Sequence, residues 1–131
     1  MSLEAEVVAL DPAYGLATLK VAGGSFLAPS REATPGERRR LKIHATDVSL
    51  AVALPPRTSI ANVLPARVLG VERRSGYVLA VALGLGADGE GARILAQVSK
   101  YSWDALALSV GAEVYAQVKA VALEPRNGAG A

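Results

Sequence analysis

A chain of 131 residues, 51% hydrophobic and 20% charged, can bury one ordinary domain or two very small lobes around a shared core, and is too apolar to remain disordered. Its net charge of +2 falls short of the dense basic stripe of a duplex-DNA binder, and with no cysteine it has no disulfide, thiolate metal site or cysteine nucleophile. No apolar run approaches the roughly 20 residues needed to span a bilayer, and Met1-Ser2-Leu3-Glu4 lacks the basic region and apolar core of a secretory signal.

Aromatic residues make up only 5%, so Val, Ala and Leu must fill the core, which suits a sheet of small aliphatics. Met1-Ser2-Leu3 reads as an added leader. Glu6–Leu10 is the first predicted strand, closed by an Asp11-Pro12 turn. Leu16–Val21 alternates and ends at Gly23-Gly24; Phe26–Ala28 is a short third strand. After Thr34-Pro35-Gly36, residues Arg38–His44 alternate again, and the run Arg38-Arg39-Arg40 reads as a solvated strand face. Val48–Ala53 is apolar, and Pro55-Pro56 stops any ladder. The second half offers strands at Arg67–Val71, Tyr77–Leu83, Arg93–Val98 and Glu113–Leu123. Between them lie a flexible glycine-rich loop over Gly84–Gly91 and a short helix over Ser99–Leu106. Residues 126–131 read as a disordered tail.

The halves repeat. Gly15–Val21 aligns with Gly76–Ala82, and Gly36 through Ile43-His44-Ala45 aligns with Gly111 through Val118-Lys119-Ala120. About five short strands per half and no long crossover predict an all-β protein: two OB-like Greek-key barrels in tandem, with a short helix near 99–108. The expected units are 1–54, a degenerate first lobe, and 55–125, the second lobe.

Catalysis finds no support in the residues. The lone histidine, His44, sits in an alternating strand, the carboxylates are scattered, and neither a nucleophile elbow nor a phosphate-binding loop is present. No metal-ligand spacing exists, so no catalytic or metal residue is assigned. Three segments carry donors instead. Thr58-Ser59-Ile60-Ala61-Asn62 is a hydroxyl-rich turn. Ser99-Lys100-Tyr101-Ser102 sets two hydroxyls on one face at a helix start, where free N–H groups favour an anion. Gln117-Val118-Lys119-Ala120 places a lysine opposite the core. Taken singly, each has a plain reading: a turn, an N-cap and a surface lysine.

The blocks TSIANVLPARV (Thr58–Val68), ILAQVSKYSWDALAL (Ile94–Leu108) and GAEVYAQVKAVAL (Gly111–Leu123) resemble the Mop/TOBE-type molybdate-binding module. LKIHATDVSLA (Leu41–Ala51), running toward TSIANVLPARV, is similar to the region just before that module in the ATP-binding subunits of bacterial molybdate importers. The resemblance implies a C-terminal regulatory domain that binds molybdate or tungstate between subunits. The anion would be held by Ser59, the amides of Ile60 and Ala61, Ser99 and Ser102, and Lys119 with the amide of Ala120. Where some relatives carry Arg, this chain has Ala61, which removes a charge-assisted donor. His44 stands where the second lobe has Lys119, and the first lobe has no Ser-x-x-Ser helix start, so no matching site is expected there.

The resemblance further implies no cofactor, a homodimer, an ATPase domain elsewhere in the same full-length chain that alone binds ATP, and indirect contact with membrane permease subunits. It implies no nucleic acid and a cytoplasmic location at the inner face of the plasma membrane. Other readings are a free-standing molybdate-binding or storage protein, the effector half of a regulator, or a dimerisation domain without ligand. A nucleic-acid-binding OB-fold would need stacking aromatics on one sheet face, and the six available are spread over both lobes.

Overall fold

The computed structural model describes residues 1–126. Its elements are β1 (Ser2–Asp11), β2 (Leu16–Val21), β3 (Gly24–Pro29), β4 (Arg38–Lys42), a 3-10 turn (Ala45–Asp47), β5 (Val48–Ala51), β6 (Asn62–Ser75), β7 (Val78–Leu85), β8 (Arg93–Ser99), α1 (Lys100–Ala105), β9 (Glu113–Val118) and β10 (Ala122–Leu123). The chain is all-β apart from one helix, and it forms two five-stranded antiparallel sheets, as the alternating sequence predicted. The longer strands bury one side of their alternation: Leu3, Ala5 and Val7 on β1, Leu79, Val81 and Leu83 on β7.

The sheets are ordered β10-β4-β1-β2-β3 and β5-β9-β6-β7-β8, the same arrangement twice. Each contains one strand from the other half. β5 pairs with β9 (Val48↔Val118 to Ala51↔Tyr115), while β10 pairs with β4 (Ala122↔Lys42, Leu123↔Leu41). The sheets therefore do not divide at 54/55 as the expected lobes do: β5 of the first half completes the second sheet, and β10 of the second half completes the first. One apolar core runs through both, from Leu3, Leu19 and Phe26 to Leu64, Leu83 and Val118. Exchange of edge strands lets two lobes, each too small to be stable alone, share that core.

Several expectations change. Ser2 and Leu3 are part of β1, opposite Lys42 and Leu41, and the terminal ammonium donates to the Ile43 carbonyl at 2.7 Å. Arg38 and Arg40 are exposed, but Arg39 is buried with Leu41 and Ile43 because it shares their side of the strand. Its guanidinium faces Glu32 at 3.3 Å and Glu37 at 3.7 Å and donates to the Glu124 carbonyl at 2.8 Å. Glu37 also meets Arg126; that hydrogen bond first, then the Thr34 N–H, hold its carboxyl down at about 2, and the same contact raises the Arg126 guanidinium.

Glu113–Leu123 is not one strand, because residues 119–121 carry the chain from the second sheet to the first. Nor is Gly84–Gly91 a loose turn. Gly84 and Leu85 belong to β7, and Gly91 packs on the other lobe: a Cβ there would stand 2.5 Å from the Ala22 carbonyl and 2.7 Å from the Gly23 Cα. The repeat shifts as well. Val7 faces Leu19 as Val68 faces Leu83, so Leu19 corresponds to Leu83, whereas the letters alone set it against Ala80. The β1–β2 ladder ends at Asp11↔Leu16, while β6–β7 runs past Glu72↔Ala80 to Arg73↔Leu79 and Ser75↔Val78. The expected tail, 126–131, lies outside the described residues except for Arg126, which is ion-paired.

Candidate functional site

The donors predicted from sequence fall into two groups. Ser59, Ile60 and Ala61 immediately precede β6, and Lys119 and Ala120 immediately follow β9. Asn62 opposes Val118, so both segments emerge at the same end of the β6–β9 ladder. Ser59, Ala61, Lys119 and Ala120 are exposed and Ile60 is partly buried. The Ile60 N–H turns back to the Thr58 hydroxyl at 3.1 Å. Of the three backbone donors expected here, the Ala61 and Ala120 amides thus have no internal partner among the described residues. The Lys119 N–H donates to the Asp47 carbonyl at 2.8 Å, which ties the strand end to the 3-10 turn and leaves the side chain outward.

Ser99 and Ser102 form the second group. Val78 opposes Ser99 and Ser75 opposes Val78, so along the β6–β7–β8 ladder they lie at the end away from Asn62. Ser99 caps α1: its hydroxyl accepts from the Ser102 N–H at 3.0 Å and donates to the Ser102 hydroxyl at 3.1 Å. Extended backbone at Ser99 (φ −72°, ψ 150°) sets up this cap. The helix is only six residues long, braced by Lys100–Asp104 at 2.5 Å and halted where Ala107 takes a left-handed φ of 52°.

The ladder separates the groups, but β5 lies between them on the other side of the barrel. It pairs with β9 on one edge and borders β8 on the other. A cleft of about 150 Å³ is lined by Ser49 and Leu50 of β5, Gln97 and Ser99 of β8, and Ser102 and Leu106. Across β5, the Ser49 hydroxyl donates to the Gln117 side-chain oxygen at 3.4 Å, two residues before Lys119. A polar row therefore leads from Ser102 through Ser49 and Gln117 toward Lys119. Among the described residues no hydrogen bond joins the two predicted groups directly, so a single chain presents them as two separate sets of donors on either side of β5.

Ser49 was not singled out by sequence reasoning, because an outward serine in a strand carries no signal until the strand's partner is known. Asn62 was read only as part of the turn. Its place at the head of the inward row Asn62, Leu64, Ala66, Val68 was the available clue. His44 is exposed and caps the 3-10 turn without using its side chain. A larger hollow of about 540 Å³ lies at the β1–β2 turn, lined by Asp11, Tyr14, Ser30 and Arg31; it mixes a carboxylate with a cation and does not converge donors on one point. Among the described residues, no His, Asp or Glu cluster has metal-ligand geometry, and no helix is long and apolar enough to cross a membrane.

Two small barrels that exchange edge strands and carry donors at their rims define the class as a tandem OB-like β domain. Residues 58–124, just over half of the chain, match the family model described as the TOBE domain, and the chain belongs to that family. It is 51% identical over 121 residues, 92% of its length, to "Molybdenum import ATP-binding protein ModC" of Rhodobacter capsulatus. It is 47% identical over 98% of its length to the protein of that name in Rhodopseudomonas palustris strain HaA2, and 41% identical over 90% to that of Bordetella parapertussis. The chain spans about a third of the length of these relatives: 33%, 34% and 32%. A crystal structure of the cytoplasmic molybdate-binding protein ModG, with molybdate bound, superposes with a TM-score of 0.78 over 94% of both chains, at 24% identity. That likeness concerns the fold.

Proposed function

We propose that this domain binds molybdate or tungstate and, as the regulatory part of a molybdate importer's ATP-binding subunit, adjusts transport to the oxyanion inside the cell. The observation that carries the reading is the 51% identity over nearly the whole chain to a molybdenum import ATP-binding protein. The site is formed by Ser59 with the amides at 60 and 61, Ser99 and Ser102, and Lys119 with the Ala120 amide. Because one chain offers these as two half-sites, two copies complete them, and the domain acts as a homodimer. A tetrahedral dianion is held by several fixed neutral donors and one ammonium. Rigid spacing discriminates by size, favouring molybdate over sulfate.

Regulation follows from differential affinity: an anion bound more tightly in one arrangement of the dimer shifts the attached ATPase pair toward it. The hydrolytic chemistry belongs to the ATPase part of the full-length subunit, which places this domain on the cytoplasmic side beneath the permease. This segment itself acts without cofactor, resident metal or nucleic acid. Isothermal titration tests the reading. Saturable molybdate binding, weakened about tenfold by Lys119→Ala and by Ser102→Ala and not reproduced by sulfate, supports it. Absence of heat from a fragment shown to be dimeric contradicts it and leaves dimerisation as the domain's role.

A free-standing molybdate-binding protein is the second reading, favoured by the 94% coverage of the ModG chain. The length of the native gene separates the two.

A further inference from the structure

Asn62 is the one buried uncharged polar side chain among the described residues, 9% exposed, and it begins an inward-facing row otherwise made of Leu64, Ala66 and Val68. A carboxamide in that position must find partners or cost stability. It finds both on one residue of the other lobe. The Leu27 N–H donates to Asn62 Oδ1 at 2.8 Å, and Asn62 Nδ2 donates to the Leu27 carbonyl at 2.9 Å. Leu27 lies in β3, the edge strand of the first sheet, opposite Thr18 of β2. The amide side chain thus stands in for a missing neighbouring strand, satisfying a backbone pair that an edge would otherwise leave open. Only asparagine has a peptide-like donor and acceptor at this reach. Aspartate lacks the donor, and glutamine is one methylene too long.

Asn62 is also the residue at which the Thr58–Ala61 turn becomes β6. On its far side the turn has no comparable anchor among the described residues: its internal bond is Ile60 N–H to the Thr58 hydroxyl. The residues before it, Val52–Leu54 and Pro56–Arg57, are exposed. We propose that Asn62 is a positioning residue for the oxyanion site: by clasping Leu27, the ligand-free first lobe fixes where Ser59 and the Ala61 amide point in the second. This rests on the functional reading above and adds to it a role for the lobe that lacks its own donors.

Two experiments test it on the dimeric chain with molybdate as the probe. In the first, Asn62→Leu and Asn62→Asp are titrated beside Val68→Ala, a core truncation in the same strand. The clasp predicts that both Asn62 variants weaken molybdate binding tenfold or more, whereas Val68→Ala, although it lowers the unfolding temperature, stays within twofold of the original affinity. Asn62 variants that melt earlier but bind molybdate as before reduce the clasp to a structural contact and overturn the proposal.

The second uses the unsubstituted chain and does not depend on whether the variants fold. Coupling is reciprocal, so saturating molybdate slows hydrogen exchange at the Leu27 amide by severalfold, while the Leu19 amide of the same lobe changes little. A Leu27 amide indifferent to molybdate also overturns the proposal. A wild-type chain that binds no molybdate at all is a different result: it removes the functional reading itself.

Discussion

The two lobes share a strand order and differ at their rims. Each places a serine at the end of its third strand as a turn cap. In the first lobe the Ser30 hydroxyl accepts from the Ala33 N–H at 3.1 Å; in the second the Ser99 hydroxyl accepts from the Ser102 N–H at 3.0 Å. The cap is therefore part of the fold. What distinguishes the second lobe is the second hydroxyl, Ser102, where the first has a buried Ala33, and Lys119 where the first has His44. The first lobe has instead put its charge into structure, with Arg39 buried among Glu32, Glu37 and the Glu124 carbonyl. Arg39 is folded into the first barrel, whereas Lys119 of the second stays exposed.

The comparison is broken most severely where the lobes meet. Gly91→Val forces a side chain against Ala22, Gly23 and Leu85, and costs about 3 kcal/mol or more. Gly70→Ala, with open space around its Cβ, stays within about 0.5 kcal/mol; urea unfolding of both measures the contrast. Next come the two structural arginines. Removing the head group of Arg39, whose side chain is 4% exposed, in Arg39→Met strands its partners and costs about 2 kcal/mol. The same change at Arg67, 35% exposed beside Glu113, costs less than about 1 kcal/mol. Equal losses would erase the division between a scaffolding lobe and a donor-bearing one.

The smallest effect concerns pH. The Glu37 carboxyl titrates at about 2 in the folded chain against an ordinary 4.5. A depressed carboxylate stabilises the fold above its unfolded value, and that contribution is lost as pH falls from about 4.5 toward 2. Glu37→Gln flattens this part of the acid-unfolding curve, an outcome read by circular dichroism against pH.

Much of this was legible in the chain. Period-two patterning gave the sheets, and the glycine and proline turns gave most of their limits. The exchange of β5 and β10 was not legible, because alternation says which face of a strand is apolar and nothing about which strand lies beside it. The end of β9 was passed over because Ala120-Val121-Ala122-Leu123 continues as an apolar run, although Val121 falls on the side of Gln117 and Lys119. Arg39 was misread although its spacing from Leu41 and Ile43 put it on their face; its charge outweighed its register. Each candidate donor segment was named from its residue types alone. The cleft between them could not be, since Ser49 reaches Ser99 and Ser102 only when β5 leaves its own half.

On the proposed function, the second lobe alone carries the oxyanion donors. The direct measurement is molybdate titration of the chain alongside Lys119→Ala and His44→Ala. Lys119→Ala is expected to weaken binding about tenfold, near 1.4 kcal/mol, and His44→Ala to bind as the original chain does. Equal weakening by both substitutions, or by His44→Ala alone, would contradict it.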